Sequence, residues 1–332
     1  MSGSTADNAG RQSGVIAAAA AGIEILSSDP TAEHGKCWFN STTSLLKVYN
    51  KVGAWANGGN LAAARYGPSS STNGTQSAAI VATGWGGSAP LTSCEQYDGS
   101  SWSSKNAMLA GGFQGAGAGT ASAGLAMAGE DASAVLVRTE EFDGTSWTAG
   151  GNLNTGKTEC NLGCGTLSAA LTGGGWGGSA VTNASEEYNG TAWTAGNNMG
   201  TAAKRVGGCG TQTAAIGTGH YVSSNTTTAE QYDGTNWSSL TSRNTALYYP
   251  ALAGTLSLAV CFGGNTGSKS NVTEDWNGTS WTVGDTLTTA RSIQAGAGTA
   301  LSALSIGGDT GSASAVTEEY TGAVTAQTVT DS

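Results

Sequence analysis

The stretch EEFDGTSW, residues 140–147, returns along the chain. It reads EQYDGSSW at 95–102, EEYNGTAW at 186–193, EQYDGTNW at 230–237 and EDWNGTSW at 274–281. A copy without its tryptophan, EEYTGAV, lies at 318–324. Trp55, Trp102, Trp147, Trp193, Trp237 and Trp281 are 47, 45, 46, 44 and 44 residues apart. A reacting site is needed once, so a motif stamped at constant spacing is architecture. A period near 44 matches a four-stranded propeller blade.

Each repeat divides into four extended segments. The second is a short apolar run bounded by glycine, such as AAIVATG at 78–84 or LSLAVCFGG at 256–264, which reads as a buried strand. Gly-Thr pairs such as Gly119-Thr120 and Gly298-Thr299 mark the turn before it. Asp-Gly or Asn-Gly between an aromatic strand and a Trp strand is a strong hairpin signal, so Asp143 and Asn189 are turn residues. The recurrent acids Glu141 and Glu187 are expected to pair with backbone or with Arg65, Arg205, Arg243 and Arg291. The framework tryptophans are expected between neighbouring blades. Slim segments such as AGAGT and GGCGT suit strands that converge on an axis.

The 332 residues include 53 glycines and only 11% charged residues, a composition close to low complexity, but the ten tryptophans and the fixed period argue for a folded array. The net charge is −10 with 13 basic residues and no basic cluster, which speaks against a nucleic-acid or anionic-membrane surface. The longest apolar run, VIAAAAAGI at 15–23, is short of the roughly 20 residues that span a bilayer. It has no basic region ahead of it, so no signal peptide is expected and the protein is expected to be made in the cytoplasm. Cys37, Cys94, Cys160, Cys164, Cys209 and Cys261 fall at unrelated repeat positions; they read as buried or half-buried thiols, with no metal site and no cofactor implied.

The order L-x-T-x-R, an apolar strand ending in Gly-Gly, an aromatic and then Trp resembles the kelch repeat of β-propellers. The match covers residues 55–322 and implies an all-β fold: a six-bladed kelch-like β-propeller with four antiparallel strands per blade. The second repeat departs from it, with LAGGF at 109–113 in place of the Arg segment and Gly129-Glu130 for the glycine pair; the fourth reads IGTGHY at 216–221. The last repeat ends without a Trp strand, while LLKVYNKVGAW, 45–55, carries an orphan one, so Trp55 is expected to complete the final blade and close the ring. Residues 1–34 are expected as an extended anchor arm, 35–54 as a β-hairpin leading into the ring, and 323–332 as a tail.

The repeat wording, as in TEEFDGTSWT at 139–148, the hairpin GKCWFNSTTSLLKVYN at 35–50 and the opening SGSTADNAGRQSGVI are similar to virion proteins of tailed phages of aquatic bacteria such as cyanobacteria. That resemblance implies a virion structural protein of the fibre, spike or appendage type, displayed in several copies or as a homo-oligomer. It implies anchoring on other virion proteins through residues 1–50 and attachment to a host-surface glycan or protein. Other classes to weigh are a capsid decoration protein, a carbohydrate-active propeller enzyme and a cellular kelch scaffold. No catalytic residues are singled out. In a sialidase Asp box one residue separates Asp from Gly, whereas Asp143 and Gly144 are adjacent; a kelch-type copper oxidase needs two histidines near a Tyr pair, and His34 and His220 stand far apart in the chain. The loop after the second strand varies most between repeats. Its Trp85, Trp176, His220 and Tyr221 are the candidate ligand residues, suited to stacking on sugar rings. Packing on a neighbouring subunit is the alternative use of the same aromatics.

Overall fold

A computed structural model describes residues 23–32 and 36–329. The expected anchor arm 1–34 therefore lies, apart from 23–32, outside the described residues, as do His34 and the last three residues of the tail. The described residues hold no helix. They divide into two compact units, one of residues up to Val52 and from Gly322 onward, the other Gly53–Thr321.

Five antiparallel sheets have four strands each. That of the second repeat is built from Ala116–Thr120, Ala123–Met127, Thr139–Phe142 and Trp147–Ala149, in chain order across the sheet. The other four repeat this arrangement from Ser69, Gly163, Gly207 and Ala251. A sixth sheet is built from Ala295–Thr299, Ser302–Ile306 and two longer strands, Thr317–Thr328 and Leu45–Asn57. Within the larger unit, residues 53–57 and 317–321 of its long strands lie beside Ser302–Ile306 and Ala295–Thr299, so the strand of Trp55 adjoins the last copy of the motif.

The first strands of the six sheets neighbour one another in turn, and Ala295–Thr299 meets Ser69–Ser70 to close the circle. They are slim because there is no room. A methyl added to Gly117 would lie 2.2 Å from the carbonyl oxygen of Ser70 in the sheet before, and one on Gly163 2.5 Å from that of Gly117. Farther out, each Trp strand lays its ring on the preceding sheet. Trp193 donates to Thr139 Oγ1 at 2.9 Å, Trp102 to Thr317 Oγ1 at 2.9 Å and Trp55 to Thr273 Oγ1 at 3.0 Å. Trp147 packs with Ile80, Ala82 and Cys94 of the first sheet as well as with Phe142 of its own. The hairpin turns form as the Asp-Gly signal predicts. Asp143 Oδ1 accepts from the backbone of Thr145 and Ser146 at 2.8 Å each, and Gly144 takes a φ of 95°.

In the smaller unit Cys37–Asn40 and the start of Leu45–Asn57 form a hairpin, with Glu24–Leu26 parallel to its outer strand. Trp38, fully buried, stacks 4.6 Å from Tyr49. Asp29 ties the unit together, accepting from Asn40 at 2.8 Å and pairing with Lys47 at 2.9 Å. All six cysteines are free, five buried and Cys37 half-buried.

Candidate ligand-binding face

The acids of EEFDGTSW are taken up by the framework. The first one is buried in every repeat, as Glu95, Glu140, Glu186, Glu230, Glu274 and Glu318. Each accepts two backbone N–H groups from a segment about 30 residues earlier; Glu186 takes them from Asn154 and Thr155 at 2.7 and 3.3 Å, Glu318 from Thr288 and Thr289 at 2.6 and 3.1 Å. Each also faces a basic side chain, which offsets the cost of burying a carboxylate. These are Arg65 at 2.7 Å, Arg138 at 3.0 Å, Lys157 at 3.5 Å, His220 at 3.5 Å, Arg243 at 3.6 Å and Arg291 at 2.5 Å. Only Arg65, Lys157 and Arg291 share a repeat position. Arg243 stands where other repeats have Leu61, Leu153 and Leu287, Arg138 two residues before its own Glu, and His220 where the others have a glycine.

The second acid points to the next sheet. Tyr188 donates to Glu141, Tyr232 to Glu187 at 2.5 Å and Tyr97 to Glu319. Burial, and after it the facing carboxylate, pushes the Tyr97 phenol up to about 12 and raises those of Tyr188 and Tyr232. Where the acid is replaced by Gln96 or Gln231, the next repeat carries Phe142 or Trp276, which have no phenolic hydroxyl. The expectation for Glu141 and Glu187 is thus corrected: they take tyrosine hydroxyls, and the arginines go to the first acid or, for Arg205, to Glu159.

What varies gathers at one end of the ring. The loop after each second strand pairs with the connection entering its own sheet: Tyr66 with Trp85, Phe113 with Glu130, Thr158 with Trp176, Lys204 with Tyr221, Tyr248 with Asn265 and Ser292 with Asp309. The next residues, Gly67, Gln114, Glu159, Arg205, Tyr249 and Ile293, all have φ between 51° and 67°. Five of the six are not glycine, and one is β-branched. Backbone bonds run between them: Gly67 N to Ile293 O, Gln114 N to Gly67 O, Arg205 N to Glu159 O and Tyr249 N to Arg205 O. A left-handed conformation at non-glycine residues costs of order 1–3 kcal/mol each and clusters at functional sites.

The chemistry is concentrated in the third to fifth sheets. Arg205 pairs with Glu159 Oε2 through Nε at 2.5 Å, and Lys204 with Glu159 Oε1 at 3.0 Å. The Arg205 guanidinium lies 4.6, 4.8 and 5.1 Å from the rings of Tyr221, Tyr248 and Tyr249, and Lys204 lies 5.1 Å over Trp176. Burial alone would raise the Glu159 carboxyl, but the hydrogen bonds and charges of Arg205 and Lys204 outweigh it and hold the group below its ordinary value. Glu130 is raised by burial and then by the charge of Glu159. Beneath the strained ring is a cavity of about 20 Å³, lined in part by Pro68, Gly115, Asn161, Pro250 and Gln294. A cavity of about 360 Å³ lies among the Gly-Thr turns that join first and second strands.

No family model matches the chain, and no curated protein does. Among solved structures it is similar to that of YjhT, with a TM-score of 0.65 and 12% identity over 80% of this chain and 99% of that one. The fold is a β-propeller. At that identity the likeness speaks for the fold alone.

On the propeller, the structure brings Trp176 and Tyr221 to one end of the ring, half-buried, beside Lys204 and Arg205. Trp85, also half-buried, stacks 5.1 Å from Phe113 at the same end of another blade. His220 is corrected. Its ring is fully buried, with Nδ1 3.2 Å from Thr228 O and Nε2 toward Glu230, where it stands in for the basic side chain its blade lacks at Ala203. The spacing of the repeats did not single out Glu159, Lys204 and Arg205. Their signal was present as charges at positions that vary between repeats: Glu159 and Arg205 stand where others hold Gly67, Gln114 and Ile293, and Lys204 where others hold Tyr66, Phe113 and Ser292.

Proposed function

We propose that this chain is a non-enzymatic structural protein of a bacteriophage particle, a six-bladed kelch-like propeller carried on a tail fibre, spike or similar appendage and used in attachment to the host surface. The count of six takes Ala295–Thr299, Ser302–Ile306, 317–321 and 53–57 as the last blade. The residues ahead of the ring are its anchor on other virion proteins. The observation that carries the attachment reading is the division of labour within each repeat. Acids, tyrosines and tryptophans of the repeat motif are spent on blade contacts, while variable, half-buried aromatics and charges collect at one end of the ring. Such a surface suits recognition of a glycan or protein.

Immunogold electron microscopy of purified particles with antibody to the propeller tests this. Label at the tail or its fibres is expected. Label over the head makes the protein a decoration of the capsid, and no label on any particle removes the virion reading. A second reading, a carbohydrate-active enzyme, is favoured by the strained residues around Glu159. Product release from oligosaccharides that stops with Glu159→Gln would establish it in place of the first.

A further inference from the structure

Arg205 is held in place by its neighbours while part of its side chain reaches the surface. Its backbone is held at a φ of 67°, a cost that fixes where the side chain starts. Its plane is boxed by Tyr221, Tyr248 and Tyr249. Glu159 grips Nε from behind. Among the described residues no hydrogen bond engages Nη1 or Nη2, although 23% of the side chain is exposed. The Tyr249 hydroxyl, in a residue only 3% exposed, lies against the same Arg205 and Glu159 side chains. Structural arginines of this chain look different: Arg291 spends both Nη atoms, on Gly307 O, Val316 O and Glu318.

We infer that Arg205 binds an oxyanion, a carboxylate or phosphate group of the ligand, through its free Nη1 and Nη2. The fork matches two oxygens of such a group with parallel N–H bonds, and the aromatic box keeps it planar and partly dry, where charge-assisted bonds are strongest. Lys204 adds a second positive charge, and Trp176 and Tyr248 offer flat apolar surface for the body of the ligand. Glu159 is a positioning residue: it orients the guanidinium without touching the ligand. Glu159 and Glu130 offset the two cations, so selectivity rests on the fork rather than on net charge. The inference deepens the attachment reading by naming the chemistry of the receptor, and rests on it only for the biological setting.

The test is calorimetric titration of the full chain with digalacturonic acid, with the matching neutral disaccharide and with inorganic phosphate. Saturable binding of the acid sugar without binding of the neutral one supports a carboxylate ligand; binding of phosphate alone supports a phosphate-bearing one. Arg205→Lys keeps the charge and removes the fork, and is expected to weaken binding about tenfold or more. Equal binding of acid and neutral sugars, unaltered binding by Arg205→Lys, or no binding of either anion overturns the inference. If Arg205→Lys does not fold, the guanidinium nitrogen resonances of the wild-type protein are followed during the same titration; a shift confined to other residues overturns it. Particle labelling is independent of these outcomes, so failure of the ligand assignment and failure of the virion reading are told apart.

Discussion

Tyr188 and Glu141 show how single residues hold neighbouring blades in register. The phenol of one blade closes on the carboxylate of the blade before, and in repeats where the acid is Gln the aromatic has no hydroxyl to offer. Tyr188→Phe leaves a partly buried carboxylate short of a donor and is expected to cost about 1–3 kcal/mol. The double change Tyr188→Phe with Glu141→Gln copies the pairing of Gln96 with Phe142 and is expected to recover most of that loss. Denaturant unfolding of both variants checks it, and additive losses would dissolve the pairing rule. At this scale the sequence was only partly legible. The recurrence of the buried Glu was plain, but its basic partner arrives from four different places in the repeat, so spacing alone assigned the arginines wrongly. His220 was taken for a surface ligand because its loop varies; what changed there was which side chain faces the buried Glu230.

The hairpin and the Trp strand are the elements that repeat most faithfully, and they were the most legible. Asp-Gly and Asn-Gly turns, short apolar second strands and slim first strands all follow from local chemistry and from period. In the first blade, the backbone of Ser101, then the hydroxyl and backbone of Ser100, hold the exposed Asp98 carboxyl down to about 2, against an ordinary 3.8. Its folded value is depressed, so whatever stability this turn draws from the charge is present above the unfolded value and lost as pH falls through about 2. Carbon-detected NMR titration of Asp98 should find a midpoint near that value. Asp98→Asn, the residue used at Asn189 and Asn277, should keep the turn and remove this pH dependence. Trp147→Ala empties a packed site between two blades and is expected to cost about 3–5 kcal/mol in denaturant melts. Gly117→Ala meets the preceding blade's backbone at 2.2 Å, which no rotamer relieves, and should lower the melting temperature of the whole ring.

For the molecule as a whole, the repeat period made the ring legible, and the orphan Trp55 told where it closes. The candidate site was harder still. A single sequence shows which loops differ between repeats, but not that Glu159, Lys204, Arg205, Tyr221 and Tyr248 from three blades meet. A chain begun at Gly58 lacks the strand of Trp55 and leaves Tyr320 and Phe262 without their aromatic neighbour. It is expected to lose cooperative thermal unfolding, which differential scanning calorimetry would detect as a broadened or absent transition.

That seam also sets a timetable. Residues 53–57 leave the ribosome first among the strands of the ring, and their partner 317–321 leaves last. The blades between them emerge in order, each stacking on its predecessor. Until the last blades emerge, Trp55 lacks Phe262, Thr273 and Tyr320, which cover it in the ring, and the opposite face of the arc stays open. The molecule becomes a ring in one late step, when the oldest strand and the youngest find each other.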